Sequence, residues 1–148
     1  MPKMKTFTLA QAHSLLPVLS SLLKTAMNGK QLISDIEKEL QDLRHRILLS
    51  GGVFVNVAQV ARRRGQHDRA MQETKDAIAE INSIGVQVKD LDMGLLDFPC
   101  VVEDQMVLLC WKFGEEKIEH WHNLEEGFKG RKPLDQRILR GRKREKPN

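Results

Sequence analysis

One feature constrains this chain more than any other. It is an apolar seam that steps by four and three residues: Leu15, Leu19, Leu22, Ala26, Gly29, Ile33, Ile36, Leu40, Leu43 and Ile47. Residues so spaced lie along one stripe of an α-helix, and a seam held this long predicts a single long helix. Its start is marked by Thr8 and Gln11, which form a capping box, with Phe7 placed as the hydrophobic staple. Pro17 removes one backbone hydrogen bond and predicts a kink near the start. Asn28-Gly29 is the weakest later point and marks a second bend or a break. Gly51-Gly52 ends the helix and reverses the chain. A second seam follows through Val53, Val57, Val60, Arg64, His67, Met71, Thr74, Ile78 and Ile81. Folding back about the glycines makes the two helices antiparallel and sets Arg64 and His67 near Glu37 and Glu39, as solvated ion pairs. A two-helix hairpin cannot bury all of its apolar surface. A homodimer formed through the seams, or packing on the C-terminal stretch, is expected to complete the core.

Gly85 fits a helix C-cap, and beyond it the period changes from helical to extended. Cys100 to Val102, Met106 to Phe113 and Ile118 to His122 read as strands. Glu103-Asp104-Gln105 and Gly114-Glu115-Glu116 read as turns, and Asn123 to Phe128 as a short helical turn. The expected fold class is α+β: a long, coiled-coil-like antiparallel helical hairpin (8–84) packed with a small three-stranded antiparallel β-meander in a motif unit (85–131). Residues 1–134 form one domain. Residues 135–148 form a disordered, flexible basic tail.

Charge is spread unevenly. The chain carries a net +4, but Arg131 to Asn148 holds eight Lys or Arg against Asp135 and Glu145, so the preceding residues sum to −2. A basic tail without interleaved aromatics predicts weak, non-specific contact with nucleic acid at most. Two cysteines make no disulfide framework. Gln11, His13 and Ser14 interrupt any leader-like apolar run near the start. No apolar run reaches the roughly 20 residues of a membrane span. A cytoplasmic protein with no membrane partner is expected. A P-loop and a dinucleotide fingerprint are both missing from the sequence, so a nucleotide is not indicated.

Gly85 to Arg131 concentrates the chemistry. It holds both cysteines, both tryptophans and the densest set of carboxylates beside apolar residues. Three segments, FTLAQAHSLLP, GVQVKDLDMGLLDFP and VLLCWKFGEEKIEHWHNLEEGFKGRKPL, resemble the bacterial domain-of-unknown-function family numbered 2203, from about Phe7 to Leu134. The resemblance implies membership and no activity. The positions it marks include Lys89, Asp90, Asp92, Asp97, Trp111, Glu115, Trp121, His122 and Arg131. His120, Cys100 and the tail look particular to this chain.

Asp90, Asp92, Asp97, Glu115 and His122 are metal-capable side chains gathered within 33 residues. Imidazole with carboxylates suits a divalent metal such as zinc, manganese or iron. A second, weaker metal set is Cys100, Cys110 and His120. A three-residue turn at Gly114 to Glu116 pairs Cys110 with His120 across the strands, and Cys100 is expected on that same face. Against both sets stands a purely structural reading, with Cys110 as a small core residue and the aspartates capping turns. Lys89, Trp111, Trp121 and Arg131 are candidate ligand-binding residues, with Lys132 beside Arg131 for an anion. Cys110, inside the most apolar strand, is expected to be an inert thiol. The leading expectation is a non-catalytic binding or assembly protein. The alternative is a small metal-dependent, hydrolase-like enzyme using His122 with Asp97 and Glu115. An open site would favour the enzyme; a closed one, under Trp111 and Trp121, would favour structure.

Overall fold

In the computed structural model, residues 5–51 and 56–139 are described. The long seam forms a single helix, α1 (Leu9–Ser50), and Thr8 and Gln11 make the reciprocal capping box at its start. Pro17 lies inside this helix. Asn28-Gly29 neither breaks nor ends it. A Cβ on Gly29 would lie 2.0 Å from the Thr74 hydroxyl oxygen and 3.5 Å from the Ala70 carbonyl oxygen, so at this glycine the two helices approach closely. The second helix, α2 (Val57–Ile84), starts on Asn56, whose side chain accepts from Gln59 N–H, and ends on Gly85 at φ 106°. As the antiparallel reading requires, His67 meets Glu37 at 2.9 Å. Arg63, rather than Arg64, takes Glu39 at 2.5 Å.

The extended part is larger than a three-stranded meander. Among the described residues five strands run antiparallel in chain order: β1 (Gln87–Asp90), β2 (Leu95–Val102), β3 (Gln105–Lys112), β4 (His120–Asn123) and β5 (Lys132–Pro133). The added edges come from segments with too little apolar alternation to read as strands. β1 alternates exposed and half-buried residues, and β5 is two residues long. β2 starts five residues before Cys100, and its Leu95–Cys100 stretch is buried on both faces. The β2–β3 turn holds two residues, not three. Val102 pairs with Gln105, leaving Glu103 and Asp104 alone at φ 51° and 65°. That is the left-handed pair of a tight hairpin turn.

Alternate residues point to opposite faces of a sheet, and directly paired residues share a face. Leu96, Phe98, Cys100 and Val102 of β2 therefore join Val107, Leu109 and Trp111 of β3 and Trp121 of β4. This face packs on Leu16, Leu19 and Leu23 of α1 and Ile81 of α2, in one core. Packing on the sheet thus completes the core at the near end of the hairpin. The sheet core takes α1 side chains no further along than Met27 and α2 side chains no earlier than Ile81. Past these points, apart from the Lys30–Asp92 ion pair, the helices pack on each other as an arm. The folded body also extends beyond residue 134. Asp135 accepts from the backbone N–H of Arg137, and Ile138 is buried in the core. The rest of the stretch read as a basic tail, 140–148, lies outside the described residues, as does Gly52 of the glycine pair.

Candidate metal centre

On the sheet face turned away from the helices, Asp97 pairs with Cys110, and Cys110 with His120. Pro99 pairs with Leu108, and Leu108 with His122. The Cys110–His120 pairing is the one expected from the sequence. His122 reaches diagonally across β3, and its Nε2 lies 3.0 Å from Asp97 Oδ1. Ligand-type atoms of Asp97, Cys110 and His122 all lie within 4.8 Å of one another. The Asp97 and His122 side chains are at most 1% exposed, and Cys110 is buried beside them.

The hydrogen-bond pattern fixes the hydrogen on His122 Nδ1. His122 Nδ1 lies 2.8 Å from the Asn123 carbonyl oxygen, which can only accept. Nδ1 therefore carries hydrogen. In a neutral imidazole Nε2 is then the lone-pair nitrogen, and it faces a carboxylate oxygen. Two acceptors at 3.0 Å repel. One added positive charge removes the conflict: either a proton held between Asp97 and His122, or a metal ion. The other oxygen, Asp97 Oδ2, is buried with no hydrogen-bond partner among the described residues. A ring nitrogen anchored on a backbone carbonyl while the other nitrogen faces anionic ligands is the arrangement of metal-binding histidines.

Burial pushes the Cys110 thiol up to about 11, with the Asp97 carboxylate adding to it. In the metal-free chain this residue is a neutral thiol. Its contribution to stability is complete below the ordinary value of 9.0, and is lost as the pH rises from there through about 11. Native metal-free protein at neutral pH is therefore expected to resist alkylation at Cys110 and to label fully once unfolded. Labelling of Cys110 in the folded chain, identified by peptide mass, would contradict its burial.

The structure takes Asp97 and His122 from one expected set and Cys110 from the other. Cys100 is not with them. It pairs with Val107 on the helix-facing side. The reason is the two-residue turn at Glu103-Asp104. A three-residue turn would have set Cys100 opposite Leu108. Shortening it by one residue carries Cys100 to the other face and brings Asp97 opposite Cys110.

The remaining candidates serve elsewhere. Asp90 accepts from Met93 N–H in the turn after β1, and Asp92 pairs with Lys30 at 2.6 Å. Glu115 closes the β3–β4 connection. It accepts from the Lys112 backbone N–H at 2.7 Å and from Arg131 at 2.7 and 3.0 Å. His120 Nδ1 lies 3.8 Å from Glu115, too far for a hydrogen bond. Arg131 also stacks over Phe128, and Lys132 is held by Glu126. The cations proposed for an anion are thus already answered by carboxylates. Lys89 stands exposed on the edge strand β1. Trp111 and Trp121 lie on the opposite sheet face from Asp97 and His122. Trp111 donates to the Glu115 carbonyl, and the Trp121 ring sits beneath Lys132. One residue the sequence reading passed over is His13, whose Nε2 accepts from Ile118 N–H at 3.0 Å and ties the β3–β4 connection to α1. Nothing local in its sequence signals that partner, which lies 105 positions away.

No helix among the described residues is long and apolar enough to cross a membrane. No curated protein and no solved structure matches the chain. Residues 5–134 match the model of an uncharacterized conserved protein family, DUF2203. With nearly all of its length inside that match, the chain belongs to the DUF2203 family.

Proposed function

We propose that this is a non-catalytic binding protein whose sheet is held by one divalent metal ion at Asp97, Cys110 and His122. One observation carries the reading. His122 Nε2 is aimed at Asp97 with its other nitrogen already satisfied, while Asp97 Oδ2 has no partner among the described residues and Cys110 stands beside both. Thiolate, imidazole and carboxylate together suit zinc better than manganese. Tetrahedral zinc needs ligand atoms about 3.3–3.7 Å apart. The Asp97–His122 separation must open slightly from 3.0 Å and the widest, within 4.8 Å, must contract. Binding displaces the proton held by the pair and the thiol proton of Cys110.

The enzyme reading draws less support. Its proposed third residue, Glu115, is bound by Arg131 and lies outside the cluster. Asp97 and His122 have no side-chain surface to offer a substrate.

Elemental analysis of tag-free protein, purified without chelator, tests the centre. About one zinc per chain is expected in the parent, and little in His122→Ala or Asp97→Asn. Cobalt(II) added to metal-free protein should give a thiolate charge-transfer band that Cys110→Ser removes. A parent chain that holds no metal, and whose melting temperature zinc does not raise, would make the cluster a hydrogen-bonded structural feature only.

A further inference from the structure

The far end of the helical arm plays no part in the metal centre, yet it has an unusual surface. Between Leu43 and His67 the sequence contains no acidic residue and five arginines: Arg44, Arg46, Arg62, Arg63 and Arg64. Of these only Arg63 has an ion-pair partner among the described residues, Glu39. Arg44 and Arg46 are exposed on the last turns of α1, and Arg62 and Arg64 on the early turns of α2. The three most exposed large hydrophobic residues among those described stand at the same end. They are Leu48 at 82%, Leu49 at 75% and Val57 at 75%. The arm carries them clear of the body. From Met27, the last α1 side chain packed on the sheet core, to Ser50 is about 35 Å at 1.5 Å per residue.

We infer that this tip docks on the surface of an anionic lipid bilayer. Leu48, Leu49 and Val57 would enter the headgroup boundary, and the unpaired arginines would lie against acidic headgroups. Charge complementarity makes the partner anionic. A second copy's tip is excluded by the same arginines, which would face one another. A nucleic acid would match the charge but leave three apolar side chains in water. A bilayer with acidic headgroups answers both the charge and the apolar surface. Long arginine stems can lie along apolar surface while their heads stay among the phosphates. Docking of this kind needs no membrane-spanning helix.

The test is co-sedimentation of the full chain with phosphatidylcholine vesicles, with and without phosphatidylglycerol. Binding is expected only where phosphatidylglycerol is present. Leu48→Gln with Leu49→Gln leaves the charge unchanged and alters no buried residue. It is expected to weaken binding at least about tenfold while keeping the parent's melting temperature. Arg62→Gln with Arg64→Gln is expected to weaken it on the order of 30-fold. Vesicle binding that survives the leucine changes would overturn the inference, because the charge of residues 140–148 would then account for it. Equal binding to neutral vesicles would overturn it too. So would binding to duplex DNA through the same arginines with none to vesicles. None of these outcomes depends on the metal centre, which Asp97→Asn removes separately.

Discussion

Asp97→Ala is expected to cost about 3–5 kcal/mol of stability in the metal-free protein, the range found when one partner of a buried charged pair is removed. For a chain of this length that lowers the melting temperature by roughly 10 °C or more. The loss has three sources. His122 Nε2 loses the carboxylate it meets, in surroundings that no water reaches. The carboxylate leaves a cavity between β2 and β4. The proton that satisfied the pair has no second acceptor. Asp97→Asn separates structure from metal binding. Its amide N–H can donate to Nε2 in place of the shared proton, so most of the stability should return. It supplies no negative ligand, so metal affinity should not. Thermal melts of metal-free parent and both variants, repeated with zinc, decide the matter. If alanine melts with the parent, the Asp97–His122 contact does not hold the sheet. If asparagine gains as much from zinc as the parent does, Asp97 is not a ligand.

The second large effect lies in the helices. Gly29→Val is expected to destabilise by about 1–3 kcal/mol, because a side chain there must push α1 from α2. The built Cβ already falls 2.0 Å from the Thr74 hydroxyl oxygen, before any further methyl is added. Helix propensity alone points the other way, since glycine is the poorest ordinary residue in a helix interior. Gly65 provides the comparison. A Cβ there meets nothing within 4 Å, so Gly65→Ala should stabilise by about 1 kcal/mol. The pair of substitutions thus moves urea midpoints in opposite directions. Thr74→Ala combined with Gly29→Ala should recover most of what Gly29→Ala loses, because the clashing hydroxyl is gone and was itself buried without a partner among the described residues. A Gly29→Val protein with the parent's midpoint would mean that the helices do not meet there.

The closed cluster beneath the sheet and the exposed arm tip are independent parts of one molecule. The body gathers its polar groups inward. Glu115, Arg131 and Lys132 are spent on closing loops around the sheet. The arm leaves its charge and its leucines facing water. A binding protein with a rigid base and a projecting contact end fits both observations.

The helices are legible in the amino-acid sequence. The seam, the capping box and the glycine at position 85 are local signals, and each is read from residues only a few positions apart. The sequence also placed His120 and His122 on one face, because strand alternation is a local property, while Cys110 joins them through the register of the β3–β4 connection. What it did not contain was the company they keep. Whether Asp97 or Cys100 shares a face with Cys110 turns on one residue of turn length between Val102 and Gln105. Glu103 and Asp104 take up left-handed φ there without a glycine to announce it. Since side chains alternate with a period of two, that single residue exchanges the two faces of β2 and replaces a thiol by a carboxylate at the centre. Gly29 is the same lesson in the helices. A glycine weakens an isolated helix and reads as a break. Only the crossing of α1 and α2 turned it into the place where two backbones meet.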